Sequence, residues 1–158
     1  MKQNKQMTNN AVFKRLRFIE GFNNAKLKSI FEEVDYDANL VDIEAWQKEE
    51  EATDFKALSD VELALFLNGL INYKRGKKPG KQPPIETELE NNDILKKLKI
   101  AYKLNSEDML KLFKLKGKTL SKNELSAFLR NPDQDQYRVL QDQYLRNFLS
   151  GLQLHLKK

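Results

Sequence analysis

Asn9-Asn10-Ala11-Val12-Phe13-Lys14-Arg15-Leu16-Arg17 reads again, 82 residues later, as Asn91-Asn92-Asp93-Ile94-Leu95-Lys96-Lys97-Leu98-Lys99. The match runs on in the same register. Phe31 falls on Phe113, Ala45-Trp46 on Ala127-Phe128 and Asp60 on Asp142, and Phe66-Leu67-Asn68-Gly69-Leu70 falls on Phe148-Leu149-Ser150-Gly151-Leu152. Residues 9–76 therefore repeat as 91–158 without a gap. A register held over that length indicates duplication of one folded unit, and two such units are expected to pack with pseudo-two-fold symmetry.

Each unit reads as four helices, so the fold class expected is all-α. In the first helix Val12, Leu16 and Ile19 recur at helical spacing behind Asn10 as N-cap, and Asn92 opens its copy with Ile94, Leu95, Leu98 and Ala101. The second helix starts near Asn24 with Leu27, Ile30 and Phe31, matched by Met109, Leu112 and Phe113. The third carries Val41, Ile43 and Trp46, matched by Leu125, Phe128 and Leu129. Ser121 with Glu124 makes a capping box at its start, and Asn39 with Asp42 a weaker one. Ser59 and Glu62 cap the longest helix, whose stripe is Leu63, Phe66, Leu67 and Leu70. Residues 77–90, with Pro79, Gly80, Pro83 and Pro84, read as a partly extended connector, whose basic start (Lys74, Arg75, Lys77, Lys78, Lys81) is read as a solvated linker rather than a phosphate contact.

Composition excludes several classes. The chain has 158 residues, 40% hydrophobic and 32% charged, which suits a globular domain rather than a disordered one. No apolar run approaches the roughly 20 residues of a membrane span, and the polar stretch Met1 to Asn10 is unlike a secretory signal. With no cysteine there is no disulfide framework, and a cytoplasmic protein is the simplest expectation. No cofactor, membrane contact or small-molecule ligand is expected.

Catalytic constellations are weak. The one histidine, His155, has no partner ligand in view and sits where a helix C-terminus welcomes a cation, so no metal site is expected. Gly76, Gly80 and Gly117 form no phosphate loop. Asp60 and Asp142 are the one matched carboxylate pair. Both fall in the first turn of the fourth helix, where the helix dipole explains them without catalysis. Gly69 and Gly151, matched glycines inside helices, point to close backbone approach rather than a ligand gap.

Charge is the informative property. Residues 1–90 carry 14 Lys/Arg against 16 Asp/Glu, while residues 91–158 carry 14 against 7, so the net +5 belongs to the second repeat. Lys96, Lys99 and Lys103 fall at i, i+3 and i+7 and are read as one helical stripe beside Lys97. The turn after the second helix is read as adding Lys111, Lys114, Lys116 and Lys118. The second and third helices have helix-turn-helix spacing. In the first unit the third helix offers Asp42 and Glu44 and is followed by Glu49-Glu50-Glu51; in the second it offers Lys122, Asn123 and Arg130. The aromatic residues Phe13, Phe18, Phe31, Trp46, Phe66, Phe113 and Phe148 read as core, not as a stacking platform.

Asn-Asn-x-[Ile/Val]-[Leu/Phe]-Lys-[Lys/Arg]-Leu-[Lys/Arg] at Asn9 to Arg17 and Asn91 to Lys99, with Phe66 to Gly76 and Asp142 to Leu152, resembles the bacterial YehS-like family. The resemblance spans nearly the whole chain. It implies a small bacterial cytoplasmic protein of two tandem copies. It carries no catalytic residues, because the family is a domain of unknown function.

These observations lead to a non-enzymatic nucleic-acid-binding or regulatory protein. Lys96, Lys97, Lys99, Lys103, Lys114, Lys116 and Lys118 would hold phosphates of DNA or RNA, with Lys122 and Arg130 near the bases. The alternative is a protein-interaction or self-assembling scaffold, in which the acidic stretch Glu49 to Asp54 meets a basic partner or a second copy. A third possibility, an enzyme using Asp60 and Asp142, would need both carboxylates in one pocket between the repeats.

Overall fold

The computed structural model describes residues 7–157. Eight helices follow in order: α1 (Asn9–Glu20), α2 (Asn24–Glu32), α3 (Leu40–Trp46), α4 (Asp60–Arg75), α5 (Asn91–Ala101), α6 (Ser106–Leu115), α7 (Lys122–Leu129) and α8 (Asp142–Leu156). No strand occurs among the described residues. The chain divides into two compact units at Leu89/Glu90, so that α1–α4 form one and α5–α8 the other.

Short polar side chains set the helix starts by satisfying orphan backbone N–H groups. Asn23 accepts from Lys26 N, Asn39 from Asp42 N and Asn105 from Asp108 N. Ser59 with Glu62 and Ser121 with Glu124 make both bonds of the capping box. The N-cap of the first helix in each unit lies two residues earlier than the Asn10 and Asn92 read from the sequence. Thr8 caps α1 and Glu90 precedes α5, while Asn10 and Asn92 lie inside the first turn and are buried.

Those buried amides tie each unit together. Asn10 Nδ2 donates to the Trp46 and Lys56 carbonyls at 2.9 Å each, and its Oδ1 accepts from Leu58 N at 2.9 Å. Asn92 does the same to the Phe128 and Arg138 carbonyls and to Leu140 N. Asn9 Nδ2 meets the Leu58 carbonyl and Asp60 Oδ1, as Asn91 meets Leu140 and Asp142. A buried amide whose donors and acceptor are all used can hold a loop that has no regular hydrogen bonding of its own. The loop between the third and fourth helices is held in this way in both units.

Around this clamp the apolar stripes close. Phe13, Phe31, Trp46 and Phe66 are fully buried, and their rings meet at centroid distances from 4.8 to 6.4 Å. In the second unit Leu95 takes the place of Phe13, with Phe113 and Phe148 in ring contact at 5.4 Å. Two residues assigned to these stripes lie outside them. Phe18 is 64% exposed and Val41 76% exposed, because α1 and α3 bury only the faces carrying Val12, Phe13 and Leu16, and Ile43 and Trp46.

The matched glycines are where helices cross. A Cβ on Gly69 would collide with the Ile30 carbonyl of α2, and one on Gly151 with the Leu112 carbonyl of α6. Absence of a side chain lets α4 lie against α2, and α8 against α6, at backbone contact.

Candidate nucleic-acid interface

The basic residues of the second unit divide by what the fold does with them. Lys96 is half-buried and spends its ammonium on the Arg130 carbonyl at 3.1 Å, capping the end of α7. Lys118 lies 4.4 Å over the Tyr144 ring. Both are better described as parts of the unit's own packing than as phosphate holders. Lys97 is half-buried and already engaged in an interaction of its own.

The stripe of Lys96, Lys99 and Lys103 does not form. Helix α5 ends at Ala101, and Lys103 sits beyond it with φ 56°, a left-handed turn residue occupying the place that Gly21 (φ 70°) fills after α1. Lys111 and Lys114 lie in α6 itself rather than in the turn after it, and Lys116 is its C-cap. Lys103, Lys111, Lys114, Lys116 and Lys122 are exposed, and Lys99 and Arg130 half-exposed.

The two units treat their charges differently. In the first, six lysines lie within ion-pair distance of carboxylates: Lys14–Glu49, Lys28–Asp37, Lys48–Asp54, Lys56–Asp42, Lys74–Glu20 and Lys77–Asp35. At the matching positions of the second unit, Glu20, Asp35, Asp37, Glu49 and Asp54 become Tyr102, Gly117, Thr119, Asn131 and Gln136. The position of Asp42 alone keeps an acid, Glu124. The Ser121 backbone N–H and hydroxyl hold that carboxyl below its ordinary value, with smaller help from Arg138 and Lys118. Cations thus outnumber the acids available to neutralise them.

Lys122 and Arg130 come together in one place. An open groove of about 840 Å³ runs between the first turn of α6 (Ser106, Glu107, after Asn105) and the face of α7 carrying Lys122, Ser126 and Leu129, with Arg130 and Gln134 at its end. Lys122 and Arg130 stand out in the sequence as cations; Glu107 is the one acid beside them, and the remaining lining residues carry no charge. Leu129 stands where the first unit has Gln47, an apolar residue in place of a polar one.

Asp60 is more than a first-turn acid. It accepts from Asn9 Nδ2 at 2.7 Å through Oδ1 and from Leu89 N at 3.0 Å through Oδ2, and Asp142 Oδ1 accepts from Asn91 at 2.6 Å. Carboxylates committed to such donors position the backbone. Among the described residues no group of three or more His, Cys, Asp or Glu side chains gathers to hold a metal, and no helix is long and apolar enough to cross a membrane.

The family described as protein of unknown function (DUF1456) matches residues 9–76 and, a second time, residues 91–157. The chain belongs to this family. Its two matched spans coincide with the two helical sets described above, so the duplicated unit is the family's own unit. The chain is also similar to the uncharacterized protein YehS of Escherichia coli (strain K12), with 36% identity over 156 residues, covering 96% of this chain and 99% of that protein. No solved structure matches.

Proposed function

We propose that this family member is a non-enzymatic nucleic-acid-binding protein whose second unit contacts phosphates. The observation that carries the reading is that, of the six carboxylates in ion pairs among the described residues of the first unit, five have no acid at the matching position of the second. Lys99, Lys103, Lys111, Lys114, Lys116, Lys122 and Arg130 have no ion-pair partner among the described residues, and they spread over the last turn of α5, the turn after it, α6 and α7. Phosphate binding draws on such cations through counterion release and is therefore steeply salt-dependent.

Binding of labelled duplex DNA and single-stranded RNA across a salt series tests the proposal. Replacing Lys99, Lys111 and Lys114 by Met lowers the slope of log K against log salt by about one unit for each phosphate left without its lysine. Lys96 is left intact because its ammonium serves the fold. Absence of binding at low salt overturns the reading.

A protein-interaction role has one observation in its favour: Leu40 and Val41 open α3 with their side chains largely exposed, on the acidic unit. Sedimentation at high concentration separates a self-associating chain from a monomer.

A further inference from the structure

The two units are an internal control for each other, and the groove of the second is where they differ most in chemistry. In the first unit, Gln47 Nε2 donates to Asn24 Oδ1 at 2.9 Å and bridges α3 to the first turn of α2. The matching residues of the second unit are Leu129 and Ser106, which cannot make that bridge. Beside it, Lys48 is held 3.6 Å from Asp54, whereas the matching positions of the second unit are Arg130 and Gln136, with no carboxylate at the second. Arg130 Nε is buried without a hydrogen-bond partner among the described residues. An unused guanidinium N–H away from water is costly unless something supplies an acceptor.

The rest of the lining is mostly donors, with Glu107 in the first turn of α6 the one carboxylate among the lining residues. Asn105 uses its Oδ1 on Asp108 N and Gln134 its Oε1 on Asn131 N, which leaves the amide NH₂ of each uncommitted. Lys122 and Ser126 add an ammonium and a hydroxyl, and Leu129 adds an apolar face. At about 840 Å³ the groove is far larger than a phosphate and falls in the range of small-molecule sites.

We infer that this groove seats a single nucleotide, its phosphate on Arg130 and Lys122 and its base over Leu129. The inference rests on the proposed function and deepens it: the lysines outside the groove attract a strand, and the groove holds one of its units. A free nucleoside monophosphate presents the same chemistry.

The test restores the first unit's arrangement in the second. Ser106→Asn with Leu129→Gln rebuilds the bridge without altering charge, and Gln136→Asp, alone, gives Arg130 the carboxylate that Lys48 has. Amide NMR of the full chain is followed during titration with the ribonucleoside 5′-monophosphates, inorganic phosphate and a short 5′-phosphorylated RNA. The expected result is movement of the Ser106, Lys122, Ser126 and Leu129 amides with nucleotide and RNA. Each variant should weaken nucleotide binding about tenfold with its thermal midpoint retained. Unchanged affinity in both variants overturns the inference, as does a response to inorganic phosphate equal to that of every nucleotide. Lysine-dependent binding of long strands with no response in the groove overturns the groove alone and leaves the proposed function standing. Loss of all strand binding, with nucleotide still seated in the groove, overturns the proposed function instead.

Discussion

Asn10 Oδ1 accepts from Leu58 N at 2.9 Å, and 82 residues later Asn92 Oδ1 accepts from Leu140 N at the same distance. Both amides are buried, and each also donates to two carbonyls, one near the end of the third helix and one in the loop it holds. Replacing Asn92 by Ala strands one N–H and two carbonyls at once, and stranded buried groups cost about 1–3 kcal/mol each before relaxation. Chemical denaturation should show a loss of about 3 kcal/mol for Asn92→Ala, and a similar loss for Asn10→Ala. An exposed asparagine such as Asn123 should lose under about 0.5 kcal/mol on the same change.

Gly69 and Gly151 reverse the usual expectation for glycine in a helix. Alanine there gains about 1 kcal/mol of helix propensity. The added Cβ meets a backbone carbonyl in each case, which cannot swing away as a side chain would. Gly69→Ala and Gly151→Ala are therefore expected to destabilise by about 2–3 kcal/mol, read as a fall in thermal midpoint.

Lys103 holds a left-handed conformation that Gly21 takes without strain. Lys103→Gly should stabilise the chain by about 0.5–1 kcal/mol while removing one candidate phosphate contact. Stability and affinity then move in opposite directions, which a stability curve and a salt series on the same variant will show.

Glu124 titrates below its ordinary value because the Ser121 backbone N–H and hydroxyl bond the charged form. A carboxyl lowered on folding contributes stability above its unfolded value, and that contribution disappears as pH falls through the lowered folded value. Glu124→Gln should flatten the pH dependence of the unfolding midpoint on the acid side, below about pH 4.5, and leave its slope near neutrality unchanged. Asp37, lowered by the hydrogen bond and charge of Lys28, follows the same sign in the first unit.

Lys96 separates packing from binding. Lys96→Met removes the donor that caps the Arg130 carbonyl and is expected to cost about 1 kcal/mol. Exposed Lys111→Met should leave the midpoint within about 0.5 kcal/mol.

The all-α class, the duplication and most helix starts were legible in the sequence because each is local. Apolar spacing, the Ser59 and Ser121 capping boxes and the gapless repeat require no knowledge of what lies across the core. The place of the charge excess was equally legible, being a matter of counting.

What the linear chain could not show is which polar side chains the fold consumes. Asn10 looks like a helix cap until the carbonyls of Trp46, ending α3, and of Lys56 in the loop are seen around it, and Lys96 looks like its neighbour Lys99 until Arg130 is seen in front of its ammonium. Burial of Phe18 and Val41 depended on which helix face met a neighbour, and periodicity alone does not choose between two apolar edges of a stripe. The groove is the clearest case. It is lined where Leu129 and Ser106 stand in place of the Gln47–Asn24 bridge, and only the tertiary packing of α7 beside the start of α6 makes those two positions neighbours.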